Sequence, residues 1–94
     1  MTATTDLLTT VSGSFEATLL EGIRKGQHFT EIMKTARGFK DVLHDITMDS
    51  YQRDDFVTAE ASQAAYERLT LITDAHMATL TAATDKAIAA MEGN

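Results

Sequence analysis

Residues 56–91 contain neither proline nor glycine, in a chain of 94 residues with no proline and five glycines in all. Nothing in that stretch stops a helix. A helix over it measures about 54 Å at ~1.5 Å per residue. A compact chain of this size has a radius of gyration near ~12 Å. Either the segment breaks at its threonines, around residues 70–73 or 79–84, or the molecule is elongated. The absence of a breaker favours the unbroken, elongated form.

The apolar spacing supports helices elsewhere too. Leu8, Val11, Phe15, Leu19 and Ile23 recur at steps of three and four, which places them on one helical face over about residues 6–25. Thr5 is the expected N-cap, Asp6 suits the first turn, and Gly26 suits the C-terminal stop. Ser12, Gly13 and Ser14 are the weak point, where residues 1–12 could separate as a docking arm. Ile32, Ala36, Phe39, Leu43 and Ile46 form a coiled-coil-like seam over about residues 31–49, with Thr30 as its cap. Residues 49–55 are polar and read as the next loop. The third stripe is Ala59, Ser62, Tyr66, Leu69, Thr73, His76, Leu80, Ala83 and Ala87, flanked by Ile72 and Met77. The fold expected is all-α: three helices at about 6–25, 31–49 and 56–91 in one domain over 1–94, an elongated hairpin or bundle with a long C-terminal helix.

Composition narrows the function. The formal net charge is −6, and there is no cysteine. A disulfide staple, a thiol nucleophile and a cysteine-based zinc site are therefore excluded. The acidic balance argues against general binding to nucleic acid or anionic membranes. No stretch approaches the roughly 20 apolar residues of a membrane span. The start MTATTDLLTT lacks the basic region of a secretory signal. The expected location is cytoplasmic or within an assembled particle. Charge is uneven: residues 1–23 carry three acids and no base, residues 24–53 are net +2, and residues 54–94 are net −5.

Candidate chemistry is sparse. Asp41 and His44 lie one helical turn apart, as paired ligands do in di-iron bundles, with Glu16, Glu21, Glu60 and Glu67 as further carboxylates. No Glu-x-x-His occurs, and a solvated Asp–His pair accounts for the spacing, so neither a metal nor a cofactor is assigned. His76 falls within the apolar stripe and reads as a core or interface histidine; His28 reads as a loop residue. Ser14 lacks the strand–turn–helix setting of a nucleophile elbow. Lys34, Arg37 and Lys40 have no interleaved aromatic platform for nucleic acid. Asp41, Asp45 and Asp49 recur every four residues as an acidic ridge. Such a ridge could occupy a basic groove on a protein partner, or simply be a solvated helix face.

Two features point to helix–helix contact. Gly22 and Gly26 are four residues apart, a spacing that permits close backbone approach and equally describes a helix end. The alanines at 75, 78, 82, 83, 87 and 90 bury little area in a private core but allow repeated stacking. The expected function is a non-enzymatic structural or adaptor subunit that self-associates or packs into a larger assembly such as a virion, a filament or a secretion-type machine. Its expected interface residues are Gly22, Gly26, Tyr66, Leu69, Ile72, His76, Leu80, Ala83 and Ala87. The alternative is a small acidic inhibitor or regulator acting through Asp41, Asp45 and Asp49, and a weaker one is a metal-binding oligomeric bundle.

Overall fold

The structure, a computed structural model, describes residues 3–93, with side chains from residue 6 onward. Three helices follow one another: α1 (Ala3–Arg24), α2 (Phe29–Gln52) and α3 (Phe56–Glu92). The molecule measures 62 × 21 × 19 Å with a radius of gyration of 17.0 Å. It is all-α and elongated, and α3 spans most of its long axis.

The threonines do not break α3. Thr70, Thr73, Thr79 and Thr84 each return their hydroxyl to the carbonyl four residues earlier, at 2.9–3.3 Å. That bond satisfies the hydroxyl within the helix, so no other backbone conformation is needed. Gly13 likewise sits inside an unbroken α1, with open space around it. Residues 3–12 are therefore part of that helix and not a separate arm; Met1 and Thr2 lie outside the described residues. The expected cap Thr5 falls within α1.

Two connections fold the helices back on each other by the same device. After α1, Gly26 N–H donates to Ile23 C=O at 3.1 Å and Gln27 N–H to Gly22 C=O at 3.0 Å, with Gly26 at φ +77°. After α2, Asp54 N–H donates to Tyr51 C=O at 3.1 Å and Asp55 N–H to Ser50 C=O at 2.8 Å, with Asp54 at φ 59°. Both are Schellman closures, which need one left-handed residue. Glycine supplies it freely at the first turn, whereas an aspartate bears it at the second.

Caps correct two boundaries. α2 begins two residues before the expected start, because His28 Nδ1 accepts the Thr30 N–H at 3.1 Å; His28, not Thr30, is the N-cap. α2 also runs to Gln52, so the loop expected at 49–55 shrinks to residues 53–55. Ser50 explains the extension: it is buried against the body and its carbonyl closes the turn. Asp55 caps α3 by accepting the Thr58 N–H at 3.1 Å. The Thr58 hydroxyl and then its amide hold the Asp55 carboxyl below its ordinary value of 3.8.

The core gathers the three stripes. Leu8 and Leu19 of α1 meet Ile32, Ala36 and Leu43 of α2 and Ala65 and Leu69 of α3. Phe15 stacks on Phe39 with ring centroids 4.1 Å apart and planes 7° from parallel. Between α2 and α3 the packing is close and hydroxyl-lined. Thr47 Oγ1 donates to Leu43 C=O at 2.8 Å, and Ser62 Oγ reaches the same carbonyl at 3.3 Å. The two hydroxyls are also hydrogen-bonded to each other, so α2 and α3 share one buried polar cluster. On the surface, Arg68 of α3 pairs with Glu16 of α1 at 2.5 Å.

Candidate interaction surface on the third helix

The stripe read along α3 divides at His76. Before it, Ala59, Ser62, Leu69 and Thr73 are buried, and Tyr66, Ile72 and His76 are half-buried. After it, every described residue from 77 to 93 is exposed. α1 and α2 are shorter than α3, and their connecting turn ends level with His76. There the Phe29 ring, in the first turn of α2, lies 5.9 Å from the His76 ring. Beyond that step α3 continues alone for about 25 Å, at ~1.5 Å per residue.

The step forms an open cleft of about 290 Å³ between Phe29 and Met77, Leu80, Thr81, Thr84 and Asp85. Successive residues turn by about 100° on a helix, so Met77, Leu80, Thr84, Ile88 and Met91 share an arc of about 80°. Leu80, Thr84 and Met91 directly extend the line of Leu69 and Thr73, the face that α2 covers in the body. Four of these five side chains are large and apolar, with exposures of 46% (Met77), 39% (Leu80), 48% (Ile88) and 76% (Met91). Ala83 and Ala90 line the neighbouring side, which extends the face that α1 covers, and Ala87, five full turns after Leu69, lies on the border between the two.

The expected interface residues therefore separate. Leu69 is 1% exposed within the chain's own core, where no second copy reaches it. Gly22 is buried too: a methyl group on it would lie 2.5 Å from Gln27 Oε1 and 2.9 Å from Ile32 Cδ1. Its close approach is thus between α1 and α2 of one chain. Gly26 closes α1 through its positive φ. Their spacing of four reflects this helix end and not a contact surface. Tyr66 lies beneath Lys40, whose Nζ is 4.9 Å from the ring centroid, and Ile72 packs on the core edge. Only Leu80, Ala83 and Ala87 stand free, with His76 at the boundary. The His76 Nε2 is buried without a hydrogen-bond partner.

Phe29, Ile88 and Met91 did not stand out in the sequence. The 77–80–84–88–91 spacing carries the signal for the last two, but the alanine-rich stripe beside it masks it. Phe29 gains its place only because α2 starts earlier than its apolar seam.

Asp41, Asp45 and Asp49 are all exposed on α2. Asp49 pairs with Arg53 at 3.2 Å, and Asp41 shares a small depression with Arg37 and Lys40. The ridge is thus a face of mixed charge. His44 is exposed beside it, and no three acidic or histidine side chains among the described residues converge on a metal-sized site. No helix among the described residues is long and apolar enough to cross a membrane. A second apolar patch lies at the opposite pole, where Tyr51 and Phe56 rings sit 6.1 Å apart. Leu7 and Val57 are also exposed toward that end of the fold. Comparison with family models, curated proteins and solved structures yields no match to this chain.

Proposed function

We propose that this chain is a non-enzymatic structural or adaptor subunit that works by packing its free helix against other protein chains, copies of itself first. The observation that carries this reading is the bare apolar arc of Met77, Leu80, Ile88 and Met91. A helix of this length is marginal in water without a packed face. Side chains of this size each stabilise a packed state by roughly 1.5–3 kcal/mol when fully buried. The overhang gains that stabilisation only from a partner.

Light scattering or sedimentation across a dilution series tests the reading. The wild-type chain is expected to form a species larger than the monomer, and Leu80→Asp to remain a folded monomer. Leu80 faces Phe29 at the edge of the body and is 39% exposed, so the substitution should cost dilute protein about 1 kcal/mol of stability and leave it folded. Unchanged assembly in Leu80→Asp, or a wild-type monomer at every concentration, overturns the proposal.

A further inference from the structure

We infer that the occupant of the free half of α3 is the same segment of a second copy, running antiparallel, with each helix tip seated on the other's Phe29 step. This inference rests on the self-association proposed above and specifies its geometry.

The direction follows from the shape of the step. The apolar arc continues the face that α2 already covers up to His76. A helix that covers the remainder must therefore lie end to end with α2, on the same side of α3. Two copies pointing the same way cannot do this. Packed helices sit 8–10 Å apart, and a helix with side chains is about 10 Å wide. In parallel, the α2 of each copy would occupy the space of the other's α3. Turned antiparallel, each body lies beyond the other's tip, and both seams close along their free length.

The register follows from the same limit. A twofold axis at Thr84 sets Met77 against the partner's Met91 and Leu80 against the partner's Ile88, which pairs large apolar residues on both sides of a central Thr84–Thr84 contact. The tip then comes level with His76, where the Phe29 wall stops it. Charge does not oppose this seating: Arg24 and Lys25, both paired with Glu21 at 2.5 and 3.5 Å, are balanced at the turn by Glu21 and by Glu31 in the first turn of α2.

The area sets the strength. A free segment of about 25 Å with half its surface covered buries on the order of 1,000 Å² between the two copies, the lower edge of a specific interface. The pair is accordingly reversible, and dilution separates it.

The absence of native cysteine makes the geometry directly readable. Thr84→Cys, Met77→Cys and Met91→Cys change exposed positions, and circular dichroism checks that each remains helical. Under mild oxidation Thr84→Cys alone is expected to give a linked dimer. Met77→Cys and Met91→Cys, about 21 Å from their own copies at ~1.5 Å per residue, are expected to link only when mixed with each other. Linking of all three single variants with themselves indicates a parallel pair and overturns the inference while leaving self-association standing. A sedimenting oligomer in which none of these positions links also overturns it, placing the contact elsewhere. A monomer at all concentrations removes the self-association reading itself.

Discussion

The two halves of α3 make opposite use of the same stripe. In the covered half the buried positions are Thr58, Ala59, Ser62, Ala65, Leu69 and Thr73, of which only Leu69 is large. In the uncovered half, Met77, Leu80, Ile88 and Met91 stand in solvent. A chain shaped only for its own stability would place its large apolar side chains under α1 and α2 and leave small ones outside. Here small and hydroxylated residues at the buried positions let α2 approach closely, with Tyr66 and Ile72 at the core edge, while the arc beyond the step carries large side chains in solvent. The body is built for close approach and the overhang for contact area.

The largest way to break this comparison is in the body. Leu69 is the one large side chain that α3 buries fully. Leu69→Ala should cost about 2–5 kcal/mol through lost burial and the cavity left behind. Leu69→Asp adds an unpaired buried carboxylate and should abolish folding. Circular dichroism with a thermal melt reads both. A folded Leu69→Asp chain would show that α3 does not depend on its covered half. Leu69 and Leu80 thus separate: the first substitution removes the fold, the second only the assembly.

That separation was not legible in the sequence. Steps of three and four identify the inward residues, and they do so for Leu8, Leu19, Ile32 and Leu43 as well as for Leu69. The same steps run without interruption from Ala59 to Ala87, because helical periodicity marks a face and not whether anything lies over it. Coverage depends on where α1 and α2 end. Those ends rest on caps and turns: His28 starting α2 ahead of Thr30, and Asp54 taking a left-handed conformation that no motif announces. Gly22 shows the same limit from the other side. Its spacing to Gly26 resembles a contact motif, yet its neighbours are Gln27 and Ile32 of its own chain. The all-α class and three segments could be read from breakers and period; the free surface needed the tertiary arrangement of the turns.

A smaller effect sharpens the comparison at the turns that set the body's length. Asp54 holds φ 59° where Gly26 holds +77° in an equivalent closure. A left-handed conformation costs an L-residue about 1–2 kcal/mol, and aspartate is among the residues that tolerate it best. Asp54→Gly should therefore stabilise the chain by about 1 kcal/mol at most, since glycine also gains freedom when unfolded. Gly26→Ala should destabilise it by about 1 kcal/mol or more. Chemical denaturation measures both. Equal effects of the same sign would show that the two turns do not share a mechanism.

The smallest energetic effect belongs to the overhang of an isolated chain, and it is the most discriminating. Amides in residues 77–93 belong to a stretch of α3 that meets the body only at the Phe29 step among the described residues, so opening them disturbs little of the body. Their opening free energies should lie near zero in dilute protein, whereas amides around Leu43 and Leu69 should approach the global value. Raising the concentration until copies pair should slow exchange across 77–93 alone, because only those amides gain cover. Ile88→Asp should cancel that gain, because it sets a carboxylate in the apolar arc, and leave exchange in the body unchanged. Hydrogen exchange followed by mass spectrometry resolves the two regions. Protection that rises equally in both would mean that self-association stabilises the whole fold and not its free half. Protection of 77–93 that is already high in dilute monomer would mean that this half of α3 is stable without a partner.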